Sequence, residues 1–114
     1  DPTAHAEILV IREACKKIEQ SRLNFFSLYV TLEPCPMCCQ AISFARLPKL
    51  VFGAYDAKGG GVEHGPKIFS HQTSHHNLEI LGGVEEQRCG KILTDFFNKK
   101  RQEGSSLKRN LNKS

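Results

Sequence analysis

The stretch Pro34-Cys35-Pro36-Met37-Cys38-Cys39 constrains this chain more than any other feature. It follows "FSLYVTL", a β-branched and aromatic run that reads as a buried strand. A helix is expected to begin near Pro36, because proline suits a first helical turn, and to end before Pro48. Cys35 and Cys38 are three positions apart, so on a helix they lie about 60° apart and both sulfurs can face one point. Cys-x-x-Cys is a standard pair of zinc ligands. The positive end of a helix favours thiolate over thiol. Pro34 and Pro36 restrict the entering backbone and preorganise the pair. Cys39 is turned about 100° further and is expected in the core, as are Cys15 and Cys89 on apolar stripes.

Five cysteines make an odd set, which argues against a disulfide framework and suits a reducing cytoplasm. A length of 114 residues fits one domain. No apolar run approaches the ~20 residues of a membrane span, and no secretory signal opens the chain.

Periodicity orders the rest. Ile8, Ile11, Cys15 and Ile18 recur at helical spacing and predict a helix over about 3–20. "KLVFGAY" reads as a second strand, closed by the turn-forming "DAKGGG", and "LEIL" as a third. A last helix is expected from Glu85 to about Glu103, with Cys89, Ile92, Leu93, Phe96 and Phe97 as its apolar stripe. Residues 1–103 then form one domain, and "GSSLKRNLNKS", 104–114, reads as a disordered basic tail. Strands joined through helices imply a layered α/β sandwich with a right-handed parallel crossover. The chain opens on Asp1-Pro2 rather than Met, and three strands make a thin sheet, so further elements are expected upstream.

Two thiolates leave zinc short of ligands, and five histidines are available: His5, His64, His71, His75 and His76. His5 stands apart because Glu7 follows two residues on, and a carboxylate beside zinc can act as a base. Two helical positions are about 200° apart, so His5 and Glu7 converge only at a helix end, which a start at Thr3 supplies. Taken alone, His-x-Glu is usually solvated surface, and Cys-x-x-Cys suits a redox pair or half a zinc knuckle. Together, each at a helix start with a strand between, they point to one catalytic zinc ion per chain.

"HAE" followed by "PCPMC" is similar to the signature of the zinc-dependent cytidine and adenosine deaminases. "DPTAHAEI", "LYVTLEPCPMC", "VFGAYDAKGGG" and "LTDFFNKKRQE" resemble the bacterial tRNA-specific adenosine deaminases, from Asp1 to about Glu103. The resemblance implies a three-layer α/β/α sandwich of the cytidine deaminase type with a mixed central sheet, whose N-terminal helix and two strands are missing here. It implies conversion of the anticodon wobble adenosine to inosine, and a homodimer. His5, Cys35 and Cys38 match the zinc ligands, and Glu7 the proton shuttle. Pro34, Asp56 and Lys58 match the nucleotide site, and Phe96, Phe97, Lys100 and Arg101 the helix that touches the anticodon stem-loop. His75 stands where that family often has Asn. Without upstream strands, Tyr29 and Val30 would lie on an exposed apolar edge.

Charge placement agrees with a polyanionic partner. From Lys91 onward seven basic residues face two acids, while the rest of the chain is near neutral. The bland alternatives are a solvated helix for the charges, core packing for the Phe pair, and a solvated loop for Asp56–Gly61. Arg46 and Tyr55 are candidates to line a groove, and His64, His71 and His76 read as loop residues without a metal. Two rival functions stay open: a guanine or cytosine deaminase acting on free bases, and a non-catalytic zinc-stabilised RNA-binding module.

Overall fold

The computed structural model describes residues 1–71 and 78–113. Its order is α1 (Ala6–Ile18), β1 (Ser27–Leu32), α2 (Pro36–Phe44), β2 (Lys49–Ala54), a short 3₁₀ turn (Ile68–Ser70), β3 (Glu79–Leu81) and α3 (Glu86–Lys113). The strands pair in the order β1-β2-β3, all in parallel, with Leu28 opposite Leu50 and Leu50 opposite Ile80. The resemblance implied a mixed sheet; among the described residues the three strands pair in parallel. Among the described residues, no helix is long and apolar enough to cross a membrane.

β2 is the central strand, and five of its six residues are buried, as a strand covered on both faces should be. Successive strand residues face opposite sides. Leu50 and Phe52 join Leu28 of β1 and Cys39 and Ile42 of α2 in the core, with Ile11, Ala14, Cys15 and Ile18 of α1 packed against them. Gly53, the residue after Phe52, faces the other way, where a Cβ would collide with the Cys89 side chain of α3. The sheet therefore lies between α1 and α2 on one side and α3 on the other. Phe52, Ile42 and Leu50 are wholly buried, and each contributes about 1.5–3 kcal/mol by leaving water.

Several boundaries differ from the sequence pattern. α1 starts at Ala6 rather than Thr3, because Asp1-Pro2-Thr3 closes a turn of its own. Asp1 Oδ1 accepts hydrogen bonds from the Thr3 amide at 2.9 Å and the Thr3 hydroxyl at 2.7 Å. α2 runs as expected from Pro36 and stops before Pro48, at Phe44, with Arg46 at a left-handed φ of 59° just beyond it. Helical backbone runs past Glu103 to Lys113. The apolar stripe of α3 is buried only in part: Ile92, Phe96 and Phe97 are each about half exposed.

Candidate active site

Two helix starts meet at one point. His5 is the N-cap of α1 and Cys35 the N-cap of α2, both with extended backbone. Pro36 occupies the first turn of α2, and the Cys39 amide donates to the Cys35 carbonyl at 2.9 Å. His5 Nδ1 lies 3.5 Å from Cys35 Sγ and 3.5 Å from Cys38 Sγ. All three ligand atoms lie within 4.8 Å of one another.

That spacing fits zinc. Zn–N near 2.05 Å and Zn–S near 2.3 Å at a tetrahedral angle put nitrogen and sulfur about 3.5 Å apart. Electrostatics point the same way. The Cys38 thiol is pushed well above its ordinary value by burial, then by the neighbouring Glu7 carboxylate and Cys35. A cation between these groups reverses that penalty. Cys38 is buried, Cys35 half-buried and His5 exposed, so the group is open on its imidazole side. A three-ligand site with one open side has the form of a catalytic zinc site rather than a closed structural one.

Glu7 sits in the first turn of α1 and is half-buried. The later start of α1 still leaves His5 and Glu7 at the helix end, which is what their convergence required. Cys39 is fully buried, its Sγ 3.5 Å from the Pro34 carbonyl oxygen, and burial pushes its thiol up to about 12. It belongs to the core, as its helical position suggested.

The substrate-side residues separate into groups. Asp56, Lys58, Tyr55, Leu93 and Phe97 line a cleft of about 340 Å³ between the C-terminal end of β2 and α3. Asp56 Oδ1 accepts from the Lys58 amide at 3.1 Å and the Gly59 amide at 2.9 Å, which shapes the loop. Phe96 packs edge-to-face on Phe97 at 5.6 Å, with Lys100 Nζ 5.7 Å from its ring centre. Phe96, Lys100 and Arg101 do not line the cleft; they sit on the exposed side of α3. Pro34 is buried and offers no open surface; its carbonyl accepts the Gly61 amide at 2.8 Å. Tyr55 lines the cleft and Arg46 does not. His71 Nε2 lies 2.7 Å from the Pro66 carbonyl oxygen. His75 and His76 lie outside the described residues.

Sequence reasoning missed Glu33. It is buried at the end of β1, and His64 Nδ1 lies 2.8 Å from its Oε1. Burial alone would raise its pKa, but the Asp56 amide, His64 and the Glu63 and His64 amides hold it below the usual value of 4.5. The available signal was an acid directly after an apolar strand and before Pro34.

Comparison with known proteins agrees with this geometry. A family profile described as MafB19-like deaminase matches residues 1–101. The chain belongs to that deaminase family. A tRNA-specific adenosine deaminase of Agrobacterium fabrum is 54% identical to this deaminase over 101 residues, 89% of the chain and 66% of that protein. The Bacillus subtilis protein of the same name is 44% identical over 108 residues, 95% of the chain and 67% of that protein. This chain thus spans about two thirds of the length of these relatives. A solved structure from a study of A-to-I editing by tRNA:A34 deaminases at the wobble position is 53% identical, with a TM-score of 0.77. That match covers 81% of this deaminase and 67% of the solved chain.

Proposed function

We propose that this deaminase converts adenosine to inosine at the wobble position of a tRNA anticodon loop, by hydrolysis at a zinc centre. The observation that carries the reading is the 3.5 Å approach of His5 Nδ1 to both cysteine sulfurs beside Glu7. His5, Cys35 and Cys38 would hold the ion, which when bound supplies a Lewis acid that acidifies water. Glu7 takes the proton that water gives up as its oxygen bonds to C6 of the adenine. Glu7 passes that proton to the ring nitrogen, then takes the remaining proton from the new C6 hydroxyl and gives it to the amino group as the C6–N bond breaks, so it ends the cycle as it began. The balance is adenosine plus water to inosine plus ammonia.

RNA rather than a free base is favoured by three features. Relatives named for tRNA are 54% and 44% identical. α3 carries Lys99, Lys100 and Arg101 in sequence, where phosphates are natural partners. Half-exposed Phe96 and Phe97 offer ring faces, and stacking one base contributes about 1–3 kcal/mol. A loop base is already free of pairing, so presenting it costs little. Asp56 and Lys58 would contact the nucleotide from the cleft. Pairing of two copies is part of the proposal, supported by apolar exposure at Tyr29, Phe44 and Phe25. A reducing cytoplasm suits five free cysteines.

The test is inosine formation in an anticodon stem-loop, read by mass spectrometry, beside guanine and cytosine as free bases. Glu7→Gln should lower inosine formation by about 10²–10⁴-fold and leave zinc content and folding unchanged. Full activity in Glu7→Gln, or guanine turnover with no inosine, would overturn the proposal.

A further inference from the structure

Among the described residues, Glu33 is the one charged side chain that is buried. It touches no solvent and is neither a metal ligand nor a cleft residue. A carboxylate taken out of water survives ionised only if donors replace its hydration. Five donors do so, all from one loop. Oε1 accepts the Asp56 amide at 3.1 Å and the His64 Nδ1 hydrogen at 2.8 Å. Oε2 accepts the amides of Val62 at 3.1 Å, Glu63 at 2.9 Å and His64 at 3.1 Å. An ionised carboxylate only accepts, so the His64 proton in this contact belongs to Nδ1.

The loop closes around this carboxylate without spare room. A Cβ at Gly60 would come within 2.5 Å of Glu33 Cδ and Oε2, and one at Gly61 within 2.7 Å of Pro36 N. The Gly61 amide also bonds the Pro34 carbonyl at 2.8 Å. Glu33 itself is anchored by its amide to the Ala54 carbonyl at 2.8 Å. One side chain, two positions before Cys35, thus fixes both ends of segment 56–64 against the strand that leads to the metal ligands.

We propose that Glu33 is a positioning residue: it holds the loop bearing Asp56 and Lys58 in register with the metal centre and so sets substrate affinity. The role in affinity rests on the reading of the cleft as the nucleotide site; the role in ordering the loop does not. Glutamine has the shape of glutamate but turns an amino group toward backbone N–H donors, so two or more of the five bonds are lost. Interactions made equally with substrate and transition state act on KM and leave kcat alone.

The experiment is amide hydrogen exchange, zinc content and steady-state kinetics on the zinc-loaded protein. In Glu33→Gln, the amides of Asp56, Val62, Glu63 and His64 should exchange at least tenfold faster, while those of Leu50–Gly53 do not change. Zinc should stay at one per chain. KM for the stem-loop should rise about tenfold with kcat within threefold of the unaltered protein. Glu33→Asp keeps the charge and should recover part of both effects. If Glu33→Gln does not fold, His64→Ala removes one donor from a partly exposed position and should speed the same amides by a few-fold. Unchanged loop exchange in these variants, or a fall in kcat with KM untouched, overturns the role of Glu33. A protein that makes no inosine at all refutes the functional reading instead, and the exchange comparison still decides whether Glu33 orders the loop.

Discussion

Gly61→Ala should perturb the candidate metal site without replacing His5, Cys35 or Cys38. The new Cβ would lie 2.7 Å from Pro36 N, 2.8 Å from Pro36 Cα and 3.0 Å from Cys35 C. All three are backbone atoms, so no side chain can swing away. Ordinary contact begins at 3.4 Å, so the tightest approach leaves about 0.7 Å for the backbone to give. Metal–ligand distances tolerate about 0.2 Å, so the same shift carried to Cys35 Sγ exceeds the tolerance more than threefold. Overpacking costs about 1–3 kcal/mol. Reduced freedom of the unfolded chain returns about 0.4–1 kcal/mol. The net loss is roughly 1–2 kcal/mol in urea unfolding, with zinc affinity lowered about tenfold or more in competition with a chromophoric chelator. Gly90→Ala is the control: nothing lies within 4 Å of its Cβ, and alanine within a helix should add about 0.5–1 kcal/mol. Equal zinc affinity in Gly61→Ala and the unaltered protein would refute the close approach of loop and ligand backbone.

Two further outcomes follow from the same geometry. Stripping the metal with a strong chelator leaves the Cys38 thiol crowded by Glu7 and Cys35, so the melting temperature should drop by several degrees and return with zinc; no change on chelation would remove the metal from the argument. Glu33 has its folded pKa below 4.5, so its contribution to stability is complete above about pH 4.5 and lost as pH falls through the folded value. Urea midpoints between pH 5 and 3 should therefore fall more steeply in the unaltered protein than in Glu33→Gln, and parallel curves would contradict the assignment.

The ligand set was legible because it is local. Cys35 and Cys38 share one helix start, and His5-Ala6-Glu7 is one continuous start, so spacing made each half a candidate, while the meeting of the two halves is a property of the fold. The three strands were legible for the same reason, each being a short β-branched run. Two things were hidden. Residues that bear on the site from a distance, as Glu33 does through Val62 and His64, depend on contacts about thirty positions apart. Helical periodicity also overstated α3: Ile92, Phe96 and Phe97 repeat as a core stripe would, yet they stay half exposed. Asp1 showed how local chemistry overrides pattern, since its side chain captured Thr3 and delayed α1 to Ala6.

Neither His5 nor Cys35 lends its side chain to the helix it begins. Serine, threonine, aspartate or asparagine at such positions commonly adds about 1 kcal/mol. Each helix forgoes that gain to keep an imidazole and a sulfur turned elsewhere. A population of variants screened for thermal endurance alone would drift toward those four residues at both sites, hardening the scaffold while erasing its reactivity.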